Sequence, residues 1–111
     1  MSQEQVEQIA IDIERANANI SKAEALKRLM DSKDFKSIIL DGYFKEEASR
    51  CVLLKADSNM SAQDQLDLDK QIIAIGELHS HFNVILRLGA MAREAVQADL
   101  DTQTELLNEE S

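Results

Sequence analysis

Residues 62–108 read AQDQLDLDKQIIAIGELHSHFNVILRLGAMAREAVQADLDTQTELLN, a run without proline. Within it Leu68, Ile72, Ile75, His79, Phe82, Leu86, Gly89, Arg93, Val96, Leu100, Gln103 and Leu107 recur at alternating steps of four and three. That spacing places all twelve on one face of a helix, in the manner of a heptad seam. Ile73, Leu78, Ile85 and Ala92 widen the stripe. Ser61-Ala62-Gln63-Asp64 is a capping-box type start, with Asp where Glu is preferred. No breaker follows until near the end, so the reading is a single helix over 62–108. At about 45 residues it would be ~65 to 70 Å long. A helix of that length needs a partner along its apolar face, because short-range propensity alone does not hold it.

The partner lies upstream. Val6, Ile9, Ile13, Ala16, Ile20 and Ala23 alternate steps of three and four, and Leu26, Leu29 and Met30 extend the stripe. This predicts a helix over 3–31. Asp31-Ser32-Lys33-Asp34 reads as a break, with Asp31 or Ser32 able to cap a new helix. A short helix over 34–41 follows, with Phe35, Ile38 and Ile39 inward. Gly42 reads as its stop, since glycine takes the left-handed conformation that closes many helices. A third helix over 43–56 carries Phe44, Ala48, Cys51, Val52 and Leu53 or Leu54. Residues 57–61 form the clearest loop. The expected fold is therefore all-α, one helical domain over 1–111. Kinked N-terminal helices pack antiparallel on one long C-terminal helix, in a coiled-coil-like hairpin.

The aromatics Phe35, Tyr43, Phe44 and Phe82 fall in 35–55 and 66–86, which should form the stable part. The outer part pairs the first helix with 89–107, where Gly89, Arg93 and Gln103 occupy seam positions. Charge sharpens this difference. Residues 1–14 carry four acids and no base, and residues 94–111 carry six acids and no base. Like charges side by side are unfavourable, although salt screens them over ~8 Å. The open end of the hairpin should be loose, or should meet a basic partner. The stretch 22–55 has eight bases against six acids.

Composition excludes several functions. With 12 Lys+Arg against 21 Asp+Glu, the 111-residue chain has net charge −9. Direct nucleic-acid binding and docking on acidic membranes both need a positive surface. The one cysteine rules out an internal disulfide framework and a Cys-based zinc site within one chain. The N-terminus is acidic and polar, unlike a signal or transit peptide. The runs Ile38-Leu40 and Ile72-Ile75 fall far short of the ~20 residues that span a bilayer. The expectation is a soluble protein of a reducing cytoplasm. Asn19-Ile20-Ser21 and Asn59-Met60-Ser61 match the glycosylation pattern by chance.

Each candidate for chemistry has a plainer reading. In Glu77-Leu78-His79-Ser80-His81 the two histidines, two apart on a helix, point to opposite sides. Glu77 and His81 could share a metal, but two ligands do not close a site. Packing of His79 in the seam and solvation of His81 are favoured. Cys51 lacks a signature for an activating base and reads as a small core residue. Asp64, Asp67 and Asp69 suit the positive end of a helix better than a calcium loop, which needs a central glycine. Lys22, Lys27, Arg28, Lys33 and Lys36 are interrupted by acids and read as a solvated face. No phosphate loop or nucleophile elbow is present. No catalytic residue, cofactor or metal is therefore expected. Gly76 and Gly89 each cost ~1 kcal/mol relative to alanine within a helix. Gly89, on the seam, would admit close approach of another helix.

One pattern is distinctive: Leu26-x-x-Leu29, then Asp34-Phe35-Lys36-x-Ile38-Ile39-x-x-Gly42-Tyr43-Phe44-x-x-Glu47-Ala48-x-Arg50, then Leu53-Leu54-x-Ala56-Asp57, then Ile72-x-Ala74-Ile75. It resembles a group of small helical proteins encoded by tailed bacteriophages, over roughly residues 26–86. The resemblance implies a structural or head-assembly role, in the virion or in the host cytoplasm during assembly. It implies no catalytic motif. The partners expected are other virion proteins or further copies of the chain, without nucleic acid or membrane. The residues expected to carry the contacts are Val6, Ile9, Ile13, Val96, Leu100 and Leu107. A different class, a small acidic inhibitor of a host protein that mimics DNA charge, is suggested by the acids at 94–111. The 12 bases count against it.

Overall fold

The computed structural model describes the backbone of residues 2–110 and the side chains of residues 2–109. All regular structure among them is helical: α1 (Gln3–Asp31), α2 (Lys33–Phe35), a π-helix (Lys36–Glu47), α3 (Ala48–Lys55) and α4 (Ala62–Glu110). The fold is an all-α antiparallel helical hairpin with a long C-terminal helix. It divides into two compact units, residues 27–83 and residues 1–26 with 84–111.

The ends of the helices are set by side chains that satisfy free backbone groups. Ser2 Oγ accepts from the Gln5 N–H at 3.2 Å, and Gln5 Oε1 accepts from the Ser2 N–H at 3.0 Å. This is a reciprocal capping box. Of the two candidates at the break after α1, Ser32 is the cap: its backbone is extended (φ −65°, ψ 131°) and its hydroxyl accepts from the Phe35 N–H. Ser61 Oγ accepts from the Asp64 N–H at 3.1 Å and starts α4.

Gly42 does not end a helix. No glycine among the described residues has positive φ, and the chain stays helical from Lys33 to Lys55. The segment 36–47 is instead wound as a π-helix, closing each turn one residue later than an α-helix. Its inward positions show this winding. Phe35, Ile39, Tyr43, Glu47 and Cys51 are buried or half-buried at strict steps of four, with Leu40, Phe44 and Ala48 beside them. An α-helical step of three from Phe35 predicts Ile38 inward; in the wider turn Ile38 is 66% exposed. Val52 and Leu53 likewise face outward, Leu53 at 74% exposure, and Leu54 is the half-buried member of that set. Gly42 has a different reason to be glycine. A Cβ there would lie 2.8 Å from the Ser37 carbonyl oxygen, five residues back, too close for a side chain.

In the unit 27–83 the core is Cys51, Leu68 and Ile75, all buried, with an aromatic cluster beside them. Phe82 meets Phe35 and Phe44 at ring separations of 5.9 and 5.8 Å, and Tyr43 lies 6.0 Å from Phe44. Tilted and edge-on ring pairs at these distances add to the area they bury. The loop is fastened on both sides. Lys55 forms an ion pair with Asp69, and the Gln65 side-chain amide donates to the Lys55 carbonyl at 3.3 Å. Asp57 Oδ1 accepts from the Asn59 N–H at 2.9 Å, an Asx-type turn.

In the unit formed by residues 1–26 and 84–111 the buried residues are small: Ala23, Gly89 and Ala92, with Leu26. Gly89 sits against α1, where an added Cβ would collide with the Ala23 side chain and lie 3.3 Å from the Asn19 carbonyl oxygen. Close approach at Gly89 is thus part of the structure, whereas Gly76 faces open space. Arg93 is exposed despite its seam position and pairs with Glu24. Ala92 takes the buried place beside it.

Candidate interaction surface

Of the residues that the sequence singles out for chemistry, His79 and His81 are both exposed, so His79 is not buried in the seam as its spacing predicts. His79 lies edge-on to Phe44 at 5.1 Å, and its Nδ1 is 3.3 Å from the Asn83 amide nitrogen. The ring of His81 is 6.4 Å from that of Phe82. Neither histidine belongs to a ligand set: among the described residues no three His, Cys, Asp or Glu come together. Among them, too, no helix is long and apolar enough to cross a membrane.

Cys51 is fully buried, with Sγ 3.5 Å from Gln71 Oε1 and 3.8 Å from Glu47 Oε1. Glu47 also holds Arg50 in a two-point ion pair, with Arg50 Nε donating to Oε2 at 3.0 Å and Nη2 to Oε1. The hydrogen bonds from Arg50 hold the Glu47 carboxyl below the usual glutamate range, with Cys51 adding a smaller effect in the same direction. The same pairing raises the Arg50 guanidinium. This cluster closes one edge of the core. It presents no base to the thiol other than a carboxylate already engaged by arginine. Tyr43, Glu47, Gln71, Ala74 and Ile75 line a shallow groove beside it.

The residues expected to carry contacts differ in their exposure. On α1, Val6 is 52% exposed, and Ile9 and Ile13 are half-buried. On α4, Val96 is half-buried, Leu100 is 50% exposed and Leu107 is 67% exposed. From residue 97 to residue 109 every side chain is exposed. These six residues belong to one compact unit. Within this unit α1 meets α4 at Ala23 against Gly89 and at the Glu24–Arg93 ion pair. Two helices of this kind cover only one side of each other's apolar stripe.

Sequence reasoning missed Leu106, which is also exposed, because the strict heptad selects only Leu107. It missed a second apolar area in the unit 27–83 as well, where Phe44, Ala48, Val52 and Leu53 flank a groove. The sequence reading places Val52 inward and leaves Leu53 or Leu54 open, whereas both Val52 and Leu53 are exposed. Comparison with protein-family models, with curated proteins and with solved structures finds no match for this chain.

Proposed function

We propose that the chain is a non-catalytic structural or assembly protein that works by helix packing against other proteins. Its setting would be the tailed-phage particle or the host cytoplasm during particle assembly, as the motif resemblance over residues 26–86 implies. The observation that carries the packing role is the uncovered apolar seam at Val6, Leu100 and Leu107. Helical faces left open in this way are used as anchors at i, i+3, i+4 and i+7. In a particle with many copies, weak contacts of this kind become effective through multivalency.

The test is velocity sedimentation of lysates from cells that produce the chain. The full chain should migrate in part with a large assembly, and a chain lacking residues 1–20 should stay with the free protein. If the full chain migrates as free protein throughout production, the assembly role is wrong.

A second reading, an acidic inhibitor that imitates the charge of DNA, draws on the four acids of residues 1–14 and the six of residues 94–111, segments without a base. It predicts capture of a nucleic-acid enzyme that is lost steeply as salt rises. Capture that persists in high salt would count against mimicry.

A further inference from the structure

We infer that the open end of the unit formed by residues 1–26 and 84–111 receives a helix of another protein, with an apolar stripe flanked by lysine or arginine. This rests on the packing role proposed above and names the chemistry of the partner. Two sets of side chains coincide at this end. The first is the apolar set Val6, Leu100, Leu106 and Leu107, each about half exposed or more. The second is the acidic set that borders it, including Glu7, Asp12, Asp101 and Glu105, in segments that contain no lysine or arginine.

Charge selects among occupants. A second copy docked by this same surface would bring two acid-rich ends together, inside the ~8 Å over which salt leaves repulsion unscreened. A helix with acidic flanks meets the same penalty. A basic unstructured segment satisfies the carboxylates but leaves the leucines in water. A helix with an apolar stripe and basic flanks satisfies both sets, in the way that flanking charges choose partners in coiled coils. Such a third helix completes a layer that two helices leave half covered.

The test is fluorescence anisotropy with three labelled synthetic peptides of about three heptads each. One has Leu at the core positions and Lys at the flanks. One keeps the leucines but has Glu at the flanks. One has the lysine peptide's composition in scrambled order. The full-length chain should bind the first at least about tenfold more tightly than either other, a difference of ~1.4 kcal/mol. Leu100→Asn combined with Leu107→Asn should weaken that binding about tenfold or more, with the helical circular dichroism retained. Equal binding of the scrambled peptide, unchanged binding by the double variant, or no binding of the lysine peptide would each overturn the inference. So would sedimentation equilibrium showing that the chain alone forms a dimer that the double variant loses. Cosedimentation with an assembly, together with failure of the peptide test, removes only this partner chemistry. Failure of cosedimentation removes the assembly role itself.

Discussion

The two units of the chain use the same helical material in opposite ways. Residues 27–83 bury large or well-partnered side chains: Leu68, Ile75 and Cys51, with Phe35, Phe44 and Phe82 in mutual contact. Among the described residues of 1–26 and 84–111, Ala23, Gly89 and Ala92 are buried, with Leu26 the one large buried side chain. Burial of a leucine- or phenylalanine-sized side chain stabilises by ~1.5 to 3 kcal/mol, and alanine or glycine offers far less area. The first unit thus holds most of the cohesion. In the second, small residues let the two backbones approach closely at Ala23 and Gly89, and little large apolar area is buried beside them.

The contrast can be broken most strongly at Phe82. Phe82→Ala removes the ring shared by Phe35 and Phe44 and should cost about 3 kcal/mol, toward the low end for phenylalanine deletions because the site is half-buried. Denaturant titration measures this; a loss below ~1 kcal/mol would mean that the aromatic cluster is not the source of cohesion. Next come the two glycines of α4. Gly89→Val forces side-chain atoms into Ala23 and should cost about 2 kcal/mol, within the range for overpacking. Its hydrogen-exchange signature should be confined to residues near 16–26 and 86–96. Gly76→Ala, with nothing within 4 Å, should stabilise by up to ~1 kcal/mol through helix propensity. If both glycine changes act alike, close approach at Gly89 is not what joins the second unit.

The smallest effect concerns pH. The Glu47 carboxyl is held below its ordinary value by Arg50, so the folded state prefers it ionised. Its contribution is fully present above the ordinary glutamate value of about 4.3 and fades as pH falls below that, through the depressed folded value. Because the pair is exposed, the effect is slight. Comparing Glu47→Gln with the parent chain at neutral and acid pH should show a difference only at the former.

Helix type and pairing were legible because they rest on period alone. The steps of three and four from Val6 to Met30, and from Leu68 to Leu107, describe two stripes that must face each other. The cap at Ser61 was legible for a local reason, since a hydroxyl three residues before a free N–H needs no tertiary context; Ser32 was one of two candidates with Asp31, and the Ser2 cap was not read. The π-helix was not. Gly42 carries a signal for a left-handed stop, whereas in the structure the chain winds through it as a π-helix, with Phe35, Ile39, Tyr43, Glu47 and Cys51 inward at steps of four. Ile38 and Val52, both expected inward, lie at the surface, and of the alternatives Leu53 and Leu54 it is Leu54 that is half-buried. For the candidate surface, Val6, Leu100 and Leu107 could be listed from the seam. Their exposure could not, because it depends on how closely Ala23 and Gly89 bring the helices together.

The fastened turn at residues 57–61 also makes a graded series of loop closures along the hairpin. The pair Lys55 and Asp69 closes over 14 residues, Cys51 and Gln71 over 20, and Glu24 and Arg93 over 69. Loop-closure entropy grows with the logarithm of separation, so going from the first pair to the last adds roughly 1.4 kcal/mol if nothing forms between. Growth outward from the turn avoids that cost, because each closed pair shortens the loop left for the next. Because α1 precedes α4 in the chain, its apolar face is synthesised before the helix that packs on it.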